Sequence, residues 1–429
     1  MKMLCILTTI FAFSLIHPVT AEPTDSRSWT STSGSTVEGK VLSIEAGKAN
    51  LERADGPVVQ VPLELFVEED RAILEKHFKV EAPKPGEAAA SSATPAEGLP
   101  YEQGTIFGPI DTGNNATYHL YLPKSLKKDR KAPLLFYTDS QGGKNPHYLK
   151  KIIEGAELCG WIMAMSVESK NNTEKGHNVI VSKASVKHLL ETLPINEDRI
   201  YFTGNSGGGA TAMANASEIH CGGAMPNVGY IPQGYNPNRK GHYYVLGGGS
   251  DYNRYLSAYI GEKFGDNAVH RMHPGGHGPS LMWQYIDGMI WLNMQFLAAN
   301  RGDHTDEAMD FEATLIAWIN KEKAERPDRA YSTARLLKED YKISGANAKL
   351  VDALISELGT TPSNVQYHEG LVAIDKFSEK KMAGYGEGGG SKRNHTAKEV
   401  ARGAEKLQEE FAASQFIIDT LKAIASPTK

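Results

Sequence analysis

Ser206 stands in Gly204-Asn205-Ser206-Gly207-Gly208, between the run Ile200–Thr203 and an alanine-rich stretch that favours a helix. This is a G-x-S-x-G arrangement at a strand-to-helix junction. Tiny neighbours let the chain fold back sharply, which holds a hydroxyl on strained, exposed backbone. The helix that follows would aim its first N–H groups at negative charge forming on a substrate. The pattern alone is common in loops, so its meaning depends on partners elsewhere in the chain. A serine nucleophile needs a base. Among His220, His242, His270, His273 and His277, the preferred base is His277 in "HPGGHGPS". That glycine-rich loop follows the last strand-like run and precedes a long helix, so an imidazole there can reach back over a sheet edge. His273, at the strand end beside Pro274, is the rival. The base needs an orienting carboxylate. Asp251 ends "YYVLGGGSD" and is preferred to Asp266, which closes a helical run. Read only as a helix N-cap, Asp251 would need no catalytic role.

A tetrahedral intermediate also needs N–H donors. Gly207, next to the serine, supplies one, and the loop in "PLLFYTDSQGGKN" the other. The backbone of Ser140 is the expected second donor, with Asp139 and Gln141 as its neighbours in register. Other chemistries fit less well. His270, His273 and His277 lack the spacing of a helical metal motif, and Pro274 with two glycines breaks any common face. "GNSGGG" and "GGGSD" lack both the Lys-Ser/Thr of a P-loop and a full G-x-G-x-x-G. No cofactor and no metal is expected. Tyr243, Tyr244, Tyr252 and Tyr255 lie near Asp251 and are either core residues or rings for a sugar or aromatic group.

The elements that must position these groups lie in residues 100–303. "ATYHLYLP", "APLLFYTD", "WIMAMSVE", "RIYFTGNS", "MPNVGYIPQG", "HYYVLGGGSD" and "AVHRMHPGG" read as strands, with helical runs between them. Continuous apolar strands alternating with helices imply a mostly parallel sheet covered on both faces. Residues 22–79 form an earlier unit. "TVEGKVLSIEAG", "KANLERADG" and "PVVQVPLE" read as three strands around turns at Ala46–Lys48 and Asp55-Gly56, closed by a helix from Glu69 to Phe78. Residues 80–99 have the Ala-Pro-Ser-Glu composition of a linker. Residues 304–429 read as a helical region, broken by "GYGEGGGSKRN". At the start, Lys2, the apolar run Met3–Ile16 and Val19-Thr20-Ala21 have the pattern of a signal peptide over 1–21. The chain is therefore expected to be exported, secreted or periplasmic, with no membrane span. Of three cysteines, Cys5 falls in that leader, and Cys159 and Cys221 either pair or stay as buried thiols. With 429 residues and a net charge of −5, the chain has room for two or three domains and lacks the basic balance of a nucleic-acid binder.

Two resemblances add to this. "RSWTSTSGSTVEGKVLSIEAGKANLERADGPVVQVPL" with "EEDRAILEKHF" is similar to the SLA1 homology domain 1 modules of exported proteins. The likeness implies an SH3-like β-barrel with a protein or glycan ligand. Residues 100–300 resemble α/β-hydrolases of the polyhydroxybutyrate-depolymerase and feruloyl-esterase kind, through Ser206 in "GNSGGG", Asp251 in "GGGSD" and His277 in "PGGH", in the chain order of that fold. The resemblance implies a secreted serine esterase that forms an acyl-enzyme on polysaccharide-linked, aromatic-acid or polyester substrates. A catalytically inactive scaffold of the same fold, or a peptidase on the same triad, are the alternatives. Those esterases carry His-Gly where this chain has Thr138-Asp139, which places an acidic side chain near the oxyanion donors.

Overall fold

The computed structural model describes residues 23–30, 36–45, 48–54, 56, 58–63, 66–78, 98–383 and 395–426. The leader at 1–21, the turn residues Ala46, Gly47 and Asp55, most of the linker and the break within 384–394 lie outside them. The chain divides into two compact units, Met1–Ser91 and Ser92–Lys429.

The first unit is an antiparallel meander in the order β1-β2-β3-β4. Its strands are β1 (Arg27–Thr30), β2 (Thr36–Glu45), β3 (Lys48–Arg53) and β4 (Val58–Pro62), followed by helix α1 (Glu68–His77). Trp29, Val41, Leu51, Phe66 and Leu74 form its core. The four-residue β1 is an addition to the three strands expected. It is too short to show a period, yet it buries Trp29, whose indole N–H donates to Gly39 O at 2.9 Å.

The second unit is built on an eight-stranded sheet in the order β12-β11-β10-β9-β7-β8-β6-β5. The strands are β5 (Ile106–Asp111), β6 (Thr117–Tyr121), β7 (Ala132–Thr138), β8 (Ile162–Ser166), β9 (Ile195–Asn205), β10 (Gly223–Asn227), β11 (His242–Gly248) and β12 (Ala268–His273). β5 and β6 pair antiparallel with their neighbours, and β8, β7, β9, β10, β11 and β12 run parallel. This doubly wound, mostly parallel order is that of an α/β-hydrolase. β5 escapes sequence pattern because Gly108-Pro109 interrupts it, and its pairing shifts register between Phe107 and Ile110.

The helices are α2 (His147–Lys151), α3 (Ile153–Cys159), α4 (His177–Thr192), α5 (Gly207–Glu218), α6 (Arg254–Phe264), α7 (Met282–Ala299), α8 (Thr305–Glu322), α9 (Pro327–Glu339), α10 (Gly345–Leu358), α11 (Pro362–Phe377), α12 (Ala397–Glu410) and α13 (Gln415–Ala425). Strand side chains alternate between two cores, as the period of 2 requires. Leu135, Tyr137, Tyr244 and Leu246 face α3 and α7. Leu134, Phe136, Tyr243 and Val245 face α4 and α5. The helices after residue 303 continue these cores: Phe311, Leu315, Ile319 and Leu337 join the first. A third core gathers Met272 of β12 and Tyr255 of α6 with Tyr367, Val400, Ile417 and Leu421.

Ending the chain at residue 303 would therefore expose the covered faces of α3, α7 and β12. Each large apolar side chain uncovered forfeits about 1.5–3 kcal/mol, against a net stability of about 5–15 kcal/mol. The shortened chain is expected to lose soluble yield and cooperative melting. A soluble product melting at the full-length temperature would contradict this packing.

Candidate active site

β9 ends at Asn205 and α5 begins at Gly207, so Ser206 alone makes the turn, at φ 56° and ψ −116°. A side-chain-bearing residue there is strained by about 1–3 kcal/mol and must be held from outside. Its N–H donates to Asn227 O, and its carbonyl accepts from Ala210 N–H, both at 2.9 Å. Beneath the turn lies Thr138, the last residue of β7. Its hydroxyl donates to Gly208 O at 2.9 Å and to Thr203 O at 3.2 Å. A Cβ on Gly204 or Gly208 would sit 2.2 or 2.1 Å from Thr138 O, so both positions demand glycine. Thr138 is thus the seat of the elbow.

The structure brings Ser206, His277 and Asp251 together in series. Ser206 Oγ–H donates to His277 Nε2 at 2.8 Å, and His277 Nδ1–H donates to Asp251 Oδ1 at 2.8 Å. Asp251 fixes that tautomer, because a carboxylate can only accept. Asp251 is fully buried, its Oδ1 also takes the Asn253 N–H at 2.9 Å, and its Oδ2 meets no donor among the described residues. Burial pushes its carboxyl above the usual range, opposed by Asn253 N–H, by His277 and by the charge of Arg254. The loops carrying acid and base are joined: Gly249 N–H donates to His273 O at 2.7 Å and Ser250 N–H to Gly275 O at 3.1 Å. Tyr252 stacks on the His277 ring at 4.0 Å with 57% of its surface exposed.

Two asparagines escape sequence reasoning. Buried Asn227, at the end of β10, donates through Nδ2 to Asn205 Oδ1 (2.6 Å) and Gly278 O (3.0 Å), and accepts from Ser280 Oγ at 2.5 Å. It ties the elbow to the His277 loop. Its position at a strand end, like that of the other site residues, was the available signal. Asn171 lies over Gly207: its Oδ1 would be 1.8 Å from a Cβ there.

Gly207 opens α5, so its N–H has no carbonyl partner within the helix. Ser140 follows Asp139 in the loop after β7, where its carbonyl accepts Asn171 N–H at 2.8 Å. The Asp139 carboxyl is buried and folds onto its own loop, accepting Gln141 N–H at 2.7 Å. Burial pushes that carboxyl up, opposed by the N–H groups of Gln141 and Ser140 and by His147. The Ser140 N–H thus lies against the Asp139 carboxyl.

The rivals lie apart. Asp266 sits in the turn before β12, at the end of the sheet opposite the elbow. His273 Nδ1 accepts Gly275 N–H at 3.0 Å, and burial pushes its pKa down to about 4. His270 is buried against Ser378 Oγ at 2.5 Å. Tyr243, Tyr244 and Tyr255 are core residues, which leaves Tyr252 as the exposed ring. Cys159 and Cys221 are separate buried thiols.

Residues 18–82 match the family model of SLA1 homology domain 1, SHD1. No curated protein matches the chain significantly. Among solved structures, a thermostable esterase is 18% identical with a TM-score of 0.32, covering 41% of this chain, while this chain spans only 56% of that one. Est1E from Butyrivibrio proteoclasticus is 14% identical, with a TM-score of 0.34 and 43% and 95% covered. The thermophilic esterase Est2 of the planctomycete Thermogutta terrifontis is 14% identical, with a TM-score of 0.35 and 46% and 91% covered.

Two outcomes follow from these electrostatics. A carboxyl whose pKa is raised by folding costs stability once pH rises past its ordinary range, so at neutral pH the ionised Asp251 weighs against the fold. Asp251→Asn should therefore melt at or above the wild-type temperature while kcat falls by about 10³–10⁴-fold through loss of the imidazole's orientation. A clear drop in melting temperature would contradict the assignment of Asp251 as a buried, weakly compensated charge. Asp139→Asn keeps an acceptor for Gln141 N–H and removes negative charge beside the Ser140 donor. It should raise kcat/KM on a neutral ester by about twofold to tenfold, whereas a fall beyond tenfold would mean that the carboxyl itself assists the reaction.

Proposed function

We propose that this chain is an exported serine esterase that hydrolyses carboxylic esters through an acyl-enzyme. Ser206 attacks the ester carbonyl as His277 takes its proton, with Asp251 holding the imidazole and balancing its charge. The N–H groups of Gly207 and Ser140 receive the oxyanion. His277 then protonates the leaving alcohol, and water, activated by the same imidazole, releases the acid and frees Ser206.

The observation that carries this reading is the pair of 2.8 Å hydrogen bonds in series from Ser206 to His277 to Asp251, with the serine strained at a strand-to-helix turn. The Tyr252 ring against His277 supports esters with a ring near the scissile bond, of aromatic acids or polysaccharide-linked, ahead of polyesters. Export is proposed from the sequence pattern of 1–21. Among the described residues no helix is long and apolar enough to cross a membrane. The SHD1 module is proposed to bind a protein or glycan ligand. A second reading, an inactive scaffold, draws on Asp139, whose carboxyl engages the Ser140 N–H.

Hydrolysis of a short-chain p-nitrophenyl ester by the protein and by Ser206→Ala separates the two. The esterase reading predicts a fall of at least about 10³-fold in the variant. Equal rates would end it and leave the scaffold.

A further inference from the structure

The C-terminal helix reaches the loop that carries the acid. α13 packs Ile417, Leu421 and Ile424 into the core that holds Tyr255 and Met272. Its last turn meets Gly249, two residues before Asp251: a Cβ on Gly249 would lie 2.8 Å from Ala423 Cβ and 2.9 Å from Thr420 O. Only a glycine lets loop and helix approach this closely.

Arg254, the first residue of α6, is buried between them. Its Nη1 donates to Gly249 O at 2.6 Å, to Ser426 O at 3.2 Å and to Ala423 O at 3.4 Å. Its Nη2 donates to Ser426 O and Tyr255 Oη, both at 3.2 Å. Ala423 and Ser426 contribute the carbonyls at the end of α13, where no intrahelical donor remains and the helix dipole is negative. A buried guanidinium usually meets a carboxylate. The hydrogen-bond partners of this one among the described residues are three carbonyls and a phenol. Three residues before it stands Asp251, whose Oδ2 is buried without a donor among the described residues; the charge of Arg254 joins Asn253 N–H and His277 in opposing the effect of burial on its carboxyl.

We propose that α13 belongs to the catalytic apparatus: its last carbonyls seat Arg254, and Arg254 fixes the Gly249–Asp251 turn and supplies the countercharge for the buried acid. Arg254 is then a positioning residue, acting on the ester only through Asp251 and His277, and the proposal rests on the triad reading above. It gives the helical region after residue 303 a task in the reaction as well as in the core. The ionisable groups on the elements packed about the acid loop are His277 in series with it, His273 at the end of β12, Tyr252 and Tyr230, Tyr255 on α6, and, along α13, Asp419 and Lys422. Of these and Arg254, the charges that act directly on Asp251 are His277 and Arg254.

The test uses Arg254→Met, Arg254→Lys and a chain ending at Lys422, with kcat, KM and the pH profile of kcat/KM on a p-nitrophenyl ester, and thermal melting to verify folding. Arg254→Met should lower kcat about tenfold while KM stays within about twofold. Without its cation, the coupled Asp251–His277 pair holds its proton to higher pH, so the acid limb should move up by about 0.5–1 pH unit. The shortened chain should show the same shift, and Arg254→Met made in the shortened chain little more than either change alone. Arg254→Lys should restore most of the limb. Folded Arg254→Met with the wild-type kcat and acid limb overturns the proposal, as does a limb shift that Arg254→Lys leaves wholly in place. If the shortened chain does not fold, the two Arg254 variants decide the matter. Ser206→Ala serves as control: if it stays active, the triad reading falls and this proposal with it, whereas an inactive Ser206→Ala beside unshifted Arg254 variants removes this proposal alone.

Discussion

The site depends on one close contact. The carbonyl of Thr138, at the end of β7, lies where Cβ atoms on Gly204 and Gly208 would have to be. With no Cβ at either position, β9 can turn into α5 within one residue, and the Thr138 hydroxyl locks the turn through Gly208 O. Ser206 then has nowhere to relax, and its strain is carried by the surrounding sheet and helix. Everything else at the site is arranged around a hydroxyl whose position this contact sets.

The parallel register extends that arrangement along the sheet. β9, β10, β11 and β12 end side by side, and each delivers one part: Ser206, Asn227, the turn to Asp251, and the loop to His277. Asn227 joins the first to the last, and the backbone bonds from Gly249 and Ser250 join the acid loop to the base loop. The chemistry asks for a buried carboxylate, which folding resists. The offsetting groups are local N–H donors, the imidazole and Arg254. Arg254 in turn draws in the helices after residue 303, so the distant end of the chain bears on the acid's surroundings.

Much of this was legible in the sequence for physical reasons. β7, β8 and β11 are continuous apolar runs because both faces of each are covered. Ser206, Asp251 and His277 each lie in a glycine-rich segment just after such a run, where a parallel sheet exposes its loops. Other features left no comparable trace. β5 is interrupted by Gly108-Pro109, and β1 is too short to alternate. Arg254 reads as one more charged residue at a helix start, because its meaning lies in carbonyls 169 and 172 residues away. In the sequence, Thr138-Asp139 reads as an acidic side chain placed beside the oxyanion donors. In three dimensions Thr138 supports the elbow, and Asp139 turns back onto its own loop.

The central claim is that Ser206 carries the acyl group. Acid quenching of the enzyme during turnover of a p-nitrophenyl ester, followed by tryptic digestion and mass spectrometry, addresses it directly. One acyl adduct is expected on the peptide spanning 200–239, at Ser206, and none on the same peptide of Ser206→Ala. Ester turnover with the acyl group on another residue would contradict it.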